Sequence, residues 1–331
     1  MWCGIAFSFL FTCIIYFSKP FLPEIDFATD TGASHYYWKL PDPTFSSWAL
    51  AWISYFAHQA LMWFLIWKAQ KDKLSYTNGL HRVNLFAFAG NACFVIWHLF
   101  QTAFWYDGLA QDVSVWSSQW SVILMLVMIL HMENQRRGIF IGKKIKFLTE
   151  TGRFIRKYHG YIFSWAIVYT FWFHPMENTF GHLIGFFYMF MLMVQGSLFF
   201  TRAHVNRYWT FTLEILVLFH GTLVAINQGG GMWPMFFFGF AGLFIITQMH
   251  GLGLKLWQRW GFFGAYVGGA LFFYGPSNLT KLHQVAWIPV TEYVVMFVFA
   301  GLIWIGMKVA SWGNKLLTKS GSSDFDAGSA P

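Results

Sequence analysis

Val83–Trp105 reads VNLFAFAGNACFVIWHLFQTAFW and holds no Asp, Glu, Lys or Arg. As a helix rising about 1.5 Å per residue it is roughly 35 Å long, enough to cross a hydrocarbon core about 30 Å thick. It begins after His81-Arg82 and stops before Tyr106-Asp107, so the flanking charges fall outside the apolar stretch. Runs of this kind recur along the chain. We read spans over 4–18, 46–67, 83–105, 114–132, 159–175, 180–200, 206–226, 232–250, 261–275 and 288–310.

Composition agrees with that reading. A chain of 331 residues has the length for two or three soluble domains, but 56% hydrophobic, 22% aromatic and 11% charged residues exclude them, because water cannot solvate such a surface. The expected fold is all-α, a polytopic integral membrane helical bundle of about ten transmembrane helices, nine if the short first run does not cross. A single transmembrane domain covers 1–318, with an external loop at 19–45, a basic cytoplasmic loop at 133–158 and a disordered cytoplasmic tail at 319–331.

The net charge of +8 acquires meaning from its placement. Every Lys and Arg except Lys19, Lys39 and Lys281 falls in an even-numbered connector, in the tail, or, for Arg207 and Lys308, within the first or last few residues of a span beside one of these. The odd connectors carry acid instead, Glu24, Asp26, Asp107, Asp112, Glu177 and Glu292 among them. By the positive-inside rule the even connectors and both termini face the cytoplasm. The basic charge therefore reads as topology, with the lipid bilayer as the partner and no nucleic acid. The expected location is the cell membrane, plasma or bacterial inner. Cys3, Cys13 and Cys93 lie in or beside apolar runs without C-x-x-C spacing, which gives neither a disulfide framework nor a zinc site.

Polar side chains inside a bilayer cost free energy, so they are the functional suspects. In the third span Asn84, Asn91 and His98 recur every seven residues and share one face with Gln101. The seventh span carries Glu214 near mid-membrane, where it reads as the only deep acid, together with His220. His58 sits centrally in the second span, and His174-Pro175 and His182 bracket the connector between the fifth and sixth. The expected cofactor site lies in the outer half of the bundle, on His58, His98, His174 and His220 for a heme b, or on His98, His174, His182 and His220 for another transition metal. Glu214 and His220 are the candidates for moving protons. A secondary inner cluster, His81, His131, His159, His204 and His250, has a simpler reading as interfacial or helix-capping imidazoles.

Two hemes stacked across the membrane would need ligands several turns apart on one helix. His159 and His174, 15 residues apart, turn about 60° and rise about 22 Å, which suits such a pair. His204 and His220 point to nearly opposite faces of any regular helix, which does not. The alternative for all these histidines is hydrogen bonding to neighbouring helices.

The first functional expectation is thus a membrane-embedded oxidoreductase or electron-transfer subunit, drawing electrons from quinol or a redox partner subunit since no dinucleotide domain is present. The alternatives are a proton-coupled transporter or channel lined by the intramembrane Glu, His and Asn, and a membrane-embedded lipid-modifying enzyme. The histidine boxes of membrane di-iron enzymes, H-E-x-x-H and G-x-S-x-G are all absent.

Overall fold

The computed structural model describes residues 1–29, 36–275 and 278–326. Ten α-helices follow one another among the described residues: α1 (Trp2–Phe17), α2 (Phe45–Lys71), α3 (Arg82–Trp105), α4 (Val115–Arg137), α5 (Leu148–Phe173), α6 (Phe180–Ser197), α7 (Arg207–Asn227), α8 (Trp233–Ile246), α9 (Leu256–Tyr274) and α10 (Trp287–Asp326). The only β pairing among these residues is two isolated bridges, Thr77 with Thr201 and Phe140 with Lys143. Seven segments are long and apolar enough to cross a membrane: α2, α3, α4, α6, α7, Trp233–Gly251 and Leu279–Gly313. Large apolar side chains such as Phe56, Phe104, Phe272 and Leu302 project outward. Hydrocarbon tolerates such a surface and water does not.

Hydrogen bonds between connectors sort them onto two ends. At the basic end the α2–α3 and α6–α7 connectors pair through Thr77 N–H to Phe200 O and Arg202 N–H to Thr77 O, and Ile141 N–H reaches Ile246 O. At the acidic end Gln111 holds both the N–H and the carbonyl of Leu40, and Met176 N–H reaches Thr102 Oγ1.

Two boundaries depart from the sequence expectation. The 133–158 segment is mostly helix, because α4 runs to Arg137 and α5 starts at Leu148, leaving 138–147 as the connector. Polar residues at a membrane surface can continue a helix while their charged heads reach water, so hydropathy ends the span before the helix itself ends. At the other terminus α10 extends through Asp326, into the stretch read as a tail, and 327–331 lie outside the described residues.

The main core lies between α2, α3, α5 and α6, around the fully buried Phe171, Trp172 and Phe173. A second core joins α4, α8 and α10 through Leu243, Tyr293, Met296 and Ala300. Between these two cores runs a cavity.

Candidate functional site

The cavity has a volume of about 2030 Å³ and is bounded by α4, α5, α6 and α7, with a side reaching α8 and α10. Its basic end is lined by Lys73, Arg136, Arg156 and Lys157, and its acidic end by Tyr36, Trp38, Thr179 and Asn227. His159, His174, His182, His204 and His220 line it, whereas His58, His98, His81, His131 and His250 do not.

Both nitrogens of the two buried histidines in α2 and α3 are already engaged. His58 bonds Asn91 Oδ1 at 2.7 Å and accepts from Trp172 Nε1 at 3.2 Å. His98 meets Gln101 Oε1 at 2.9 Å and donates Nε2–H to the His174 carbonyl at 2.8 Å. The polar face of α3 is thus a staple: Asn84 donates to the Ser197 and Phe199 carbonyls, and Asn91 donates to Ser197 Oγ. His131 ties α4 to Thr151 at 2.8 Å, His81 bonds Ser75 O, and His250 bonds Ile245 O.

At the acidic end, Pro175 forces the residue before it out of the helical region, so His174 leaves α5 in an extended conformation (φ −103°, ψ 135°). Its ring packs on Tyr36 and stands 5.6 Å from His182 between centroids. Burial, with Glu177 and Tyr37 nearby, holds the Tyr36 phenol well above its ordinary value, so it stays a donor to His182 Nε2 at 3.2 Å. His182 Nδ1 then donates to Thr179 Oγ1, and neither nitrogen of His182 is free. His174 and His220 differ: Nδ1 of each is buried without a partner. Gly185 leaves room beside His220, where a Cβ would stand 3.4 Å from Cε1.

At the basic end, His159 of α5 and His204 of the α6–α7 connector hold their rings 6.2 Å apart between centroids, inclined at 38°. His159 Nδ1 donates to the Arg156 carbonyl at 2.8 Å, and His204 Nδ1 to the Gln195 carbonyl at 3.0 Å. Gln195 also grips the His204 carbonyl through Nε2 and accepts from Trp209 Nε1, while Thr201 Oγ1 accepts the His204 N–H. A Nδ1–H bonded to a carbonyl fixes the tautomer that leaves the Nε2 lone pair available for a metal. Neither Nε2 has a hydrogen-bond partner among the described residues. Burial first, then the adjacent His159, brings the connector residue His204 down to about 4, so its ring is neutral at physiological pH.

With ring centroids 6.2 Å apart and no hydrogen bond to either Nε2, His159 and His204 are the residues that would hold a heme here. A Cβ on Gly196 would meet no atom within 4 Å, whereas one on Gly160, next to His159, would touch Ile66 at 3.6 Å. Among the described residues no three His, Cys, Asp or Glu converge on a common metal position. Zinc and non-heme iron ask for at least three protein ligands, whereas a bis-histidine heme asks for two.

Glu214 is held in a buried ion pair. Its Oε2 accepts from Arg137 Nη2 at 2.8 Å, and the two side chains are 7% and 2% exposed. Glu133 adds a second carboxylate 3.5 Å from Arg137 Nε. Nor is Glu214 the only deep acid: Glu292, counted above with the external acids, lies inside α10, is 5% exposed and lines the cavity. Sequence gave no sign of the Gln195 clamp or of Tyr36 as a partner of His182, since both depend on contacts between segments.

No protein-family model matches the chain, and no curated protein or solved structure is significantly similar to it.

Proposed function

We propose that the chain is a transmembrane electron-transfer subunit with about ten spans and both termini in the cytoplasm, holding b-type heme inside its bundle. The observation that carries this reading is the His159–His204 pair, 6.2 Å apart with both Nδ1 atoms anchored to carbonyls and both Nε2 atoms unclaimed, facing a cavity. His174 and His220, each with a buried Nδ1 that has no partner, are the candidate ligands nearer the acidic end, which the positive-inside rule makes external.

Helical periodicity does not constrain the ring of His204. His204 precedes the first residue of α7, so its ring direction is set by the Gln195 clamp and not by the phase of the helix that carries His220. The sites then lie at opposite ends of the membrane-spanning part of α5, one at each end of the His159–His174 interval.

When bound, heme supplies one-electron chemistry. The chain's own contributions are to fix the ligand tautomers, to surround the site with apolar side chains such as Phe163, Ile167 and Met189, and to place Arg156 and Lys157 near its basic end. The test is an absorption spectrum and iron analysis of protein purified in detergent from heme-replete cells. A Soret band with stoichiometric iron is expected. Protein with neither would overturn the reading.

One feature favours transport as the second reading, namely that the cavity extends from Tyr36 and Trp38 to Arg136 and Lys157. The helices beside the histidines, α4 to α7, are unbroken, and the discontinuous helices usual in transporters are missing there. Iron-free protein that takes up protons or solute in liposomes would support transport instead.

A further inference from the structure

Five cations line the basic end of the cavity: Lys73 just after α2, Arg136 and Arg137 of α4, and Arg156 and Lys157 of α5. Glu133 and Glu214 are the carboxylates on the same walls, and both are engaged by α4. Glu133 lies 2.6 Å from Arg136 Nε and 3.5 Å from Arg137 Nε, and Glu214 lies 2.8 Å from Arg137 Nη2. No carboxylate pairs with Lys73, Arg156 or Lys157 among the described residues. Arg156 Nη2 donates to Gln135 Oε1 at 2.6 Å, which uses one N–H of a guanidinium that has several. Gln70 gathers the three: its Nε2 donates to the Lys157 carbonyl at 3.0 Å, its Oε1 accepts from Tyr161 O–H, and its own carbonyl accepts the Lys73 N–H. The turn that ends α2 is thereby fastened to the stretch of α5 that carries Arg156 and Lys157.

Topology does not account for this surplus. Lys143, Lys144 and Lys146 are exposed in the α4–α5 connector at the same end and satisfy the positive-inside rule from outside the cavity. Cations on the wall of an apolar cavity focus a positive field into it and concentrate anions there. Lys73, Arg136 and Lys157 are also exposed, so the charges stand at an open mouth. Further in, the walls include Leu126 and Ile129 of α4, Ile167 of α5, Met189 and Leu192 of α6 and Val217 of α7. Lys157 and His174, both on the wall, lie 17 residues apart along α5 and its C-cap, roughly 25 Å at about 1.5 Å per residue. One leaflet contributes about 15 Å of hydrocarbon, half of a bilayer core. An occupant that fits is therefore anionic at one end and apolar over the length of an acyl chain.

We propose that the basic end of the cavity binds an anionic membrane lipid, its phosphate held by Arg156, Lys157 and Lys73 and an acyl chain lying between α4, α5, α6 and α7. Guanidinium and ammonium groups are the usual partners of phosphate, and basic pockets between membrane helices on the cytoplasmic side hold anionic headgroups. The proposal takes from the electron-transfer reading only its orientation, which places this mouth in the cytoplasmic leaflet. Heme carboxylates are the rival source of negative charge, because His159 Nδ1 bonds the carbonyl of Arg156 at 2.8 Å.

The test uses wild-type protein in detergent and phosphatidic acid carrying a diazirine on its acyl chain. Saturable labelling is expected within 122–130, 163–170, 189–196 or 213–221, and label confined to other segments overturns the proposal. Unlabelled phosphatidic acid should displace the probe at least about tenfold more effectively than phosphatidylcholine, and equal displacement overturns it. Inorganic phosphate that displaces the probe as well as the lipid does would make this a site for a free anion and overturn it too. Lys73→Gln with Arg156→Gln and Lys157→Gln should weaken binding at least about tenfold, while Lys143→Gln with Lys144→Gln and Lys146→Gln, the same charge removed outside the cavity, should change it less than about threefold. Equal losses in the two triple variants would mean general charge attraction and no site. Heme-loaded protein should bind the lipid as tightly as protein from heme-deficient cells, and binding confined to the heme-free form would assign the cations to heme carboxylates and overturn the proposal. A wild type with heme but without lipid preference sinks this proposal alone, and one that binds the lipid but never heme sinks only the electron-transfer reading.

Discussion

His159 on α5 and His204 in the α6–α7 connector stand 6.2 Å apart between ring centroids, although 45 residues separate them in sequence and neither belongs to a metal-binding motif. Each ring is oriented by a carbonyl from its own segment, Arg156 or Gln195, so the pair exists before any ligand arrives. His159→Ala and His204→Ala should each remove the same heme, lowering the heme-to-protein ratio by roughly half if the outer pair is also loaded. The double variant should lose no more than either single one. A pyridine haemochrome assay measures this, and His81→Ala, away from the cavity, should leave the ratio unchanged.

Gly196 gives a steric test of the same site. A Cβ there meets open space, so a larger side chain fits the helix and fills the cavity instead. Gly196→Leu should lower bound heme by more than about half while helicity by circular dichroism stays the same, given that Leu is the better helix former. Full heme content in this variant would place the group elsewhere.

Arg137 and Glu214 should behave as one unit in stability. Removing one member of a buried pair leaves an uncompensated charge and costs about 3–5 kcal/mol, whereas removing both costs less than the sum. Arg137→Ala and Glu214→Ala should each lower resistance to SDS-induced unfolding, with a positive coupling in the double-mutant cycle. Glu133, 3.5 Å from Arg137 Nε, softens the loss when Glu214 is the residue removed. Additive single effects would show that the pair is not coupled.

Asp107 gives a pH dependence in the connector after α3. One carboxyl oxygen accepts from the Gly108 N–H at 2.8 Å, the other is buried without a partner, and burial pushes the group up to about 6 from its ordinary 3.8. Between these values the folded protein holds more protons than the unfolded chain, so stability falls as pH rises through this window and levels off above it. Asp107→Asn should abolish that fall. Thermal midpoints from pH 4 to 7 measure it, and a wild-type midpoint that climbs with pH, relative to the variant, would contradict the assignment.

His58 should matter for folding and not for cofactor content. Its loss leaves Asn91 Oδ1 and Trp172 Nε1 unsatisfied in the main core, at a cost of about 1–3 kcal/mol for each. His58→Ala should therefore unfold at lower temperature while any protein that remains folded keeps its heme spectrum.

Hydropathy and charge placement are properties of short stretches, and they made the helices legible from Val83–Trp105 outward. The ten helical segments and the two-ended sorting of connectors follow from them, because in a bilayer each span must satisfy its own backbone and few other structures can. The same locality says nothing of which histidine nitrogens other segments engage. His58 and His98 read as ligands because they are deep, and in the structure His58 meets Asn91 and Trp172 while His98 meets Gln101 and the His174 carbonyl, one partner at each ring nitrogen. His159 and His204 read as interfacial caps, and in the structure their rings lie 6.2 Å apart with Nδ1 of each bonded to a carbonyl and Nε2 unbonded. A nitrogen is available to a ligand only when no other segment has claimed it. Depth along a helix is set by the residue's own neighbours in sequence, whereas that claim is made across helices, and so it was decided by tertiary structure alone.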